Sequence, residues 1–167
     1  MSTTLSKASA QDRFLTMLDE HKKILYKVAS SYCRSTADRP DLVQEIVVQL
    51  WRSFDRYDES YRFSTWMYRI ALNVAISFYR GEARRSRHTV PAEDSILEIA
   101  AEEPAEDGGL QLLYELIAEL DELDRALILL YLDGNRYDTI AEILGISETN
   151  VGTKISRIKQ RLRRRSK

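Results

Sequence analysis

Large apolar side chains recur along this chain at intervals of three, four and seven, and no useful length alternates with period two. That spacing lines one stripe of a helix and cannot line one face of a strand. It restricts the chain to an all-α fold. Six glycines and three prolines among 167 residues leave few places to turn, in keeping with long helices. The 44% apolar content is enough for a core. The longest apolar run, Ala126 to Leu132, is far short of the roughly 20 residues a membrane span needs. The polar stretch from Met1 to Ala10 lacks the apolar region of an export signal. A cytoplasmic protein with no membrane insertion of its own is expected. Cys33 has no second cysteine to pair with, and only His21 and His88 could join it at a metal, so neither disulfide nor metal site is expected. Cys33 reads as a packing residue and both histidines as surface residues.

Phe14, Leu18, Leu25, Val28 and Tyr32 predict a first helix that ends near Arg34. Ser35 to Pro40 is a connector. Pro40 suits the first turn of a second helix, with Asp38 as candidate cap and Asp41 favourable at the positive end of the dipole. Val43, Ile46, Val47, Leu50, Trp51 and Phe54 mark its buried face. Asp55 to Phe63 has no period and reads as a loop. Ser64 or Thr65 can cap a third helix, with Trp66, Ile70, Val74 and Phe78 on its inner side and Gly81 as a break. These elements make one helical domain over residues 10–87. From Thr89 to Gly109 come two prolines, two glycines and seven acids. This composition predicts an extended, flexible acidic linker over 88–109. A second domain over 110–165 follows, with helices at Leu110 to Leu120, Glu122 to Leu132, Tyr137 to Leu144 and Ser147 to about Arg164. Two small domains on a charged tether are expected to move independently.

The net charge of −1 conceals strong segregation. His88 to Asp124 holds twelve acids and no Lys or Arg, whereas Val151 to Lys167 holds eight basic residues and no acid. Between Arg69 and Arg87 five arginines face the single acid Glu82. Basic blocks on folded helices suit nucleic acid, since contacts to phosphates release counterions; a solvated charged face is the alternative.

The sharpest local pattern runs from Tyr137 to Val151. Ile140, Ala141 and Leu144 form the inner side of a short helix, Gly145 fits a left-handed turn, and Ser147 can cap the next helix. The next helix packs through Val151, Ile155, Ile158 and Leu162. This is the helix-turn-helix pattern, whose second helix enters the major groove. The opposite side of that helix carries Thr149, Asn150, Thr153, Lys154, Arg157 and Arg161. Asn can pair with adenine, Arg or Lys with guanine, and Thr with base or phosphate. The first domain adds Tyr57, Tyr61, Phe63, Trp66, Tyr68 and Tyr79 among Arg56, Arg62, Arg69 and Arg80. Unpaired bases stack on aromatic faces while basic groups follow the backbone. Phe78 is expected in the core and Trp66 fits either role, but Tyr61, Arg62 and Phe63, in the loop, are expected to be exposed. Asp41, Gln44, Glu45 and Gln49 form a polar, acidic strip, suited to a basic partner or simply solvated. No phosphate loop, nucleophile–base arrangement or carboxylate pair between apolar walls occurs, so no catalytic site and no cofactor is expected.

In this order the segments resemble a bacterial RNA polymerase sigma factor of the extracytoplasmic-function (ECF) group, within the sigma-70 family. The likeness runs from about Phe14 to Arg164 and is weak only in the linker. Asp41 to Trp51 is similar to the polymerase-binding helix of region two, Phe63 to Ala75 to the promoter-melting and minus-ten segment, and Tyr137 to Leu162 to the region-four helix-turn-helix. The resemblance implies that Asp41, Gln44, Glu45 and Gln49 dock on the clamp coiled coil of the largest subunit of core polymerase. It implies that Tyr61, Arg62, Phe63 and Asn73 hold a base extruded from the non-template strand, with Trp66, Arg69 and Arg80 on the same minus-ten surface. Region four would read duplex DNA at the minus-thirty-five element through Thr149, Asn150, Thr153, Lys154, Arg157 and Arg161, and grip the flap of the second-largest subunit. The linker would thread the RNA channel, and an anti-sigma protein would hold the free chain inactive. The loop from Asp55 to Phe63 would set minus-ten preference. Gly152 stands where related chains often carry a basic residue, and Arg136 where a capping Ser or Thr is common. The competing readings are a stand-alone helix-turn-helix regulator, which leaves the first domain's aromatic loop unused, and a sigma-mimic that sequesters an anti-sigma protein, which has no use for the basic outer face.

Overall fold

The computed structural model describes residues 2–33, 35–82 and 108–165. Among them the only regular structure is helical: α1 (Ser2–Glu20), α2 (Lys22–Tyr32), α3 (Arg39–Ser53), a 3-10 turn at Phe54–Arg56, α4 (Phe63–Glu82), α5 (Gly108–Ala118), α6 (Glu122–Leu132), α7 (Tyr137–Leu144) and α8 (Glu148–Arg165). The acidic linker expected over 88–109 lies outside the described residues except for Gly108 and Gly109, which open α5. His88 also lies outside them.

The first unit packs α2, α3 and α4 around one another. Its core joins Phe14 and Leu18 of α1, Leu25, Val28 and Tyr32 of α2, and Leu42, Ile46, Val47 and Leu50 of α3 to Met67, Ala71, Leu72 and Ala75 of α4. Burying one such Leu or Ile contributes about 1.5–3 kcal/mol, so this core sets the unit's shape. Cys33 is buried within it, as expected of a packing residue.

Four expectations are corrected in this unit. The first helix is broken at His21, which takes φ −118° and ψ 13° and so starts α2 on a new axis. His21 is half-buried rather than a surface residue: its Nδ1 lies 2.9 Å from the Met17 carbonyl and its ring sits 5.1 Å from that of Phe63. On α4 the packed face is Met67, Tyr68, Ala71, Leu72 and Ala75, whereas Trp66, Ile70, Val74 and Phe78 are only half-buried beside it. Gly81 does not interrupt the helix, which runs on to Glu82.

In the second unit α8 lies across α6 and α7, with α5 against α6. Asp121 caps α6 by accepting from the Asp124 backbone N–H at 2.9 Å, satisfying one of the donors orphaned at a helix start. Ile140, Ala141 and Ile143 of α7 pack on Val151, Ile155 and Ile158 of α8. Leu144, expected inside, is half-buried.

The two units touch in this structure: α2 packs on α5 and α6, and α4 packs on α7. The Tyr32 hydroxyl donates to the Glu122 carbonyl at 2.7 Å and the Tyr68 hydroxyl to Asp133 Oδ2 at 2.7 Å. Lys27 ion-pairs with the other oxygen of Asp133. Arg125, 3% exposed, donates to the carbonyls of Leu120 (2.8 Å) and Ala118 (2.7 Å), and its guanidinium lies 4.6 Å from the Tyr79 ring and 5.4 Å from that of Tyr32.

Candidate nucleic-acid and polymerase interfaces

The α7–α8 turn has the geometry that the sequence demanded. Gly145 takes φ 70° and ψ 34°, the left-handed conformation that glycine adopts without a Cβ penalty. Ser147 Oγ accepts from the Asn150 N–H at 3.1 Å and caps α8. Behind α8, Lys159 lies over the Tyr131 ring at 4.1 Å and donates to its hydroxyl. The Tyr137 ring sits against Gly152, where an added Cβ would meet Cε2 at 3.4 Å. The arrangement fixes which side of α8 faces out.

That side presents Thr149, Asn150, Thr153, Arg157 and Arg161 to solvent, with Lys154 half-buried. The Thr153 hydroxyl donates to the Thr149 carbonyl at 3.0 Å, leaving its oxygen as an acceptor. Asp124 at the start of α6 feels both Lys154 and Arg161. Burial and the charge of Asp121 push its carboxyl above the ordinary range, and the two cations oppose that shift. One edge of the basic face is thus partly neutralised, while Asn150 and Arg157 keep their outward position.

The loop before α4 is built on aromatic rings. Tyr57 packs between Phe54, Phe63 and Trp66, at centroid distances of 6.2, 5.6 and 4.9 Å. Tyr61, 53% exposed, and exposed Arg62 project from it. Phe63 is corrected: expected to be exposed, it is 5% exposed and opens α4 from inside the cluster. Its aromatic neighbours withdraw it from water, so a base could reach Tyr61 but not the Phe63 face. Trp66 is half-buried. Further along α4, Asn73 is exposed, Arg69 reaches Glu142 of α7 at 3.8 Å, and Arg80 pairs with Glu122 of α6 at 2.8 Å. Two arginines of the expected minus-ten surface therefore pair with acids of the other unit.

On α3 the strip is arranged as the spacing predicted, with Asp41 and Gln49 exposed and Gln44 and Glu45 half-buried. Partial burial, then the charge of Asp41 one turn away, raises the Glu45 carboxyl above its usual range. Among the described residues no cation acts on this carboxyl. A groove of about 360 Å³ separates α3 from α4, and Glu45, Gln49 and Arg52 line it opposite Ile70, Asn73 and Val74. The acidic strip and Asn73 share this groove, a proximity not evident from sequence. Tyr68, expected among the aromatics available for stacking, is corrected: it is fully buried and bonds Asp133 across the unit boundary. Sequence reasoning also missed Asp133 and the buried Arg125; nothing in their local sequence marks them. Among the described residues no group of His, Cys, Asp and Glu could hold a metal, and no helix is long and apolar enough to cross a membrane.

The chain matches the sigma-70 region 2 family over residues 17–85 and the sigma-70 region 4 family over residues 110–162. It is 33% identical over 152 residues to the ECF RNA polymerase sigma-E factor of Escherichia coli K12, covering 80% of this chain and 75% of that one. Among solved structures, the sigma factor RpoE of Bartonella quintana, in complex with the anti-sigma factor NepR, superposes with a TM-score of 0.68 at 22% identity, covering 92% of this chain and 94% of that one. CnrH, in complex with the cytosolic domain of CnrY, gives 0.64 at 25%, covering 93% and 90%. Both family segments occur in order on two helical units, and a stand-alone helix-turn-helix regulator would account for only the second. The chain belongs to the ECF group of RNA polymerase sigma factors, in the sigma-70 family.

Proposed function

We propose a division of labour by which this chain carries out its family's task of binding core RNA polymerase and directing promoter-specific initiation by recognising and melting promoter DNA. Residues 110–165 read the minus-thirty-five element as duplex, with Asn150, Lys154, Arg157 and Arg161 at base edges or phosphates and Thr149 and Thr153 beside them. Residues 10–87 melt and hold the minus-ten element. Tyr61 and Arg62 receive the extruded base, Asn73 lies next to it, and Arg69 and Arg80 follow the backbone. Phe63 and Trp66 support this surface as the aromatic floor behind Tyr61. Asp41, Gln44, Glu45 and Gln49 meet a basic face on the largest polymerase subunit, and the raised Glu45 carboxyl supports a cationic partner there. The acidic stretch 88–109 connects the two units. The protein is no enzyme: melted DNA is trapped by binding energy, in the cytoplasm where the polymerase works. The solved complex of RpoE with the anti-sigma factor NepR supports an anti-sigma protein as the partner that holds the free chain.

The observation that carries this reading is the capped, outward-facing basic side of α8. Run-off transcription with purified core polymerase on a promoter library tests it. Arg157→Glu is expected to abolish promoter-specific transcripts while leaving the thermal unfolding of the protein unchanged. Wild-type activity of that variant would refute DNA reading by α8.

A further inference from the structure

The loop that offers Tyr61 is held at both ends before any DNA arrives. At one end Asp58 makes a turn: its Oδ1 accepts from the Ser60 N–H at 2.9 Å, and its carbonyl accepts from the Tyr61 N–H at 3.1 Å. The bond to the Ser60 backbone holds the Asp58 carboxyl below its usual range. At the other end the Tyr57 hydroxyl donates to the Tyr61 carbonyl at 2.7 Å. The Tyr57 ring cannot follow the loop, because Phe54 stacks on it at 16° and Phe63 abuts it edge-on at 85°. Glu59, between the two anchor points, ion-pairs with Arg13 of α1, whose guanidinium also lies 5.6 Å from the Phe54 ring. The hydroxyl is thus a fixed point on the core that reaches out to the one residue whose ring stands free.

We infer that Tyr57 is a positioning residue for minus-ten recognition: its hydroxyl sets the place and angle of Tyr61, and through them which extruded base is accepted. This rests on the reading that Tyr61 meets the extruded base. The physical reason is ordering cost. A loop fixed only by its backbone turn samples several positions of Tyr61, and each base finds one that suits it. A loop pinned at the Tyr61 carbonyl offers a single stacking geometry, and bases that fit it poorly are rejected. The hydroxyl touches no DNA and acts only through Tyr61.

Tyr57→Phe removes the one oxygen and keeps the ring in its cluster. The test is transcription by core polymerase with the variant on a promoter pool randomised across the minus-ten element, read by sequencing the transcripts. The quantity is the preference for the best over the worst base at the most selective position. This ratio is unaffected by how much of the protein is folded, because both templates meet the same preparation. Loss of one hydrogen bond is expected to lower the ratio about fivefold, with preferences at the minus-thirty-five element unchanged. Tyr61→Ala, run beside it, is expected to flatten the same position. An unchanged ratio in Tyr57→Phe with a flattened one in Tyr61→Ala overturns the role of Tyr57 and leaves that of Tyr61 standing. Unchanged ratios in both variants overturn both. A drop spread equally over every promoter position in Tyr57→Phe also overturns the inference, since it marks a general structural effect.

Discussion

Replacing Tyr68 by Phe distinguishes docked from separate units in solution, because the expected effect differs in kind between the two. The Tyr68 ring is fully buried, and its hydroxyl donates across the unit boundary to Asp133 at 2.7 Å. Burial, followed by the bond to Asp133, pushes the phenol well above its ordinary range, so the group stays a neutral donor at any working pH. A hydrogen bond to a charged group contributes about 1.5–3 kcal/mol. Lys27 still neutralises Asp133 in the variant, which places the loss at the lower end, about 1.5 kcal/mol. For a chain of this size that lowers Tm by about 3–6 °C. Were the units apart, the hydroxyl would face water on the surface of α4, and its removal would cost close to nothing. Urea unfolding followed by circular dichroism, on Tyr68→Phe, Asp133→Ala and the double variant, isolates the pair: docked units give a coupling of about 1 kcal/mol or more. A neutral Tyr68→Phe with a coupling below about 0.3 kcal/mol would refute the docked arrangement.

Glu45→Gln is expected to act with opposite signs on the free chain and on its complex. Burial raises the folded-state carboxyl above its unfolded value, so the ionised form weakens the fold once the pH exceeds the carboxylate range; the variant is therefore more stable at pH 7, and that gain fades as pH falls towards about 4, as thermal melts across pH would record. Its affinity for core polymerase, measured by fluorescence anisotropy, should fall at the same time, and equal affinity would remove Glu45 from the interface. Gly152→Ala has room for the added methyl, whose nearest neighbour is the Tyr137 ring at 3.4 Å; it should stabilise α8 by about 0.5–1 kcal/mol, read as a higher urea midpoint.

Sequence reading succeeded where one local requirement left a single answer. Gly145 had to supply a left-handed turn, and Ser147 then stood where α8 needed an acceptor; both do so. The stripe Val43, Ile46, Val47 and Leu50 was legible for a similar reason, since α3 buries one broad face of bulky residues. It failed on α4, which packs against α2, α3 and α7 at once. Bulk there misleads: small Ala71 and Ala75 are fully buried, whereas large Trp66, Ile70 and Val74 are only half-buried. The break at His21 was hidden because Leu18 and Leu25 keep a seven-residue interval across it, with no Gly or Pro to mark the hinge. Phe63 was misplaced because the loop's lack of period says nothing about burial, which the rings of Tyr57, Trp66 and His21 impose. Contacts between the units had no local signal at all, since Tyr68 and Asp133 are 65 residues apart in the chain.

Those contacts differ in kind, and the difference decides how firmly the units hold each other. Arg69–Glu142 and Arg80–Glu122 lie at the edge with exposed arginines, where an ion pair contributes about 0–1 kcal/mol. They cover the two arginines at little cost to whatever displaces them. Arg125 looks like the fastener, yet its short bonds go to Leu120 and Ala118 of its own unit, where the negative end of α5 favours a cation. Its reach across the boundary, to the Ser31 carbonyl at 3.4 Å and the Tyr79 hydroxyl at 3.5 Å, is long and weak. Docking therefore covers a site that the second unit has already completed. Stronger are Tyr32 on a carbonyl and Tyr68 with Lys27 on Asp133, and water can take up these groups once the units part, at a net cost of about 1.5 kcal/mol for the Tyr68 bond. An interface whose polar members can all be rehydrated holds the two units together without making closure obligatory.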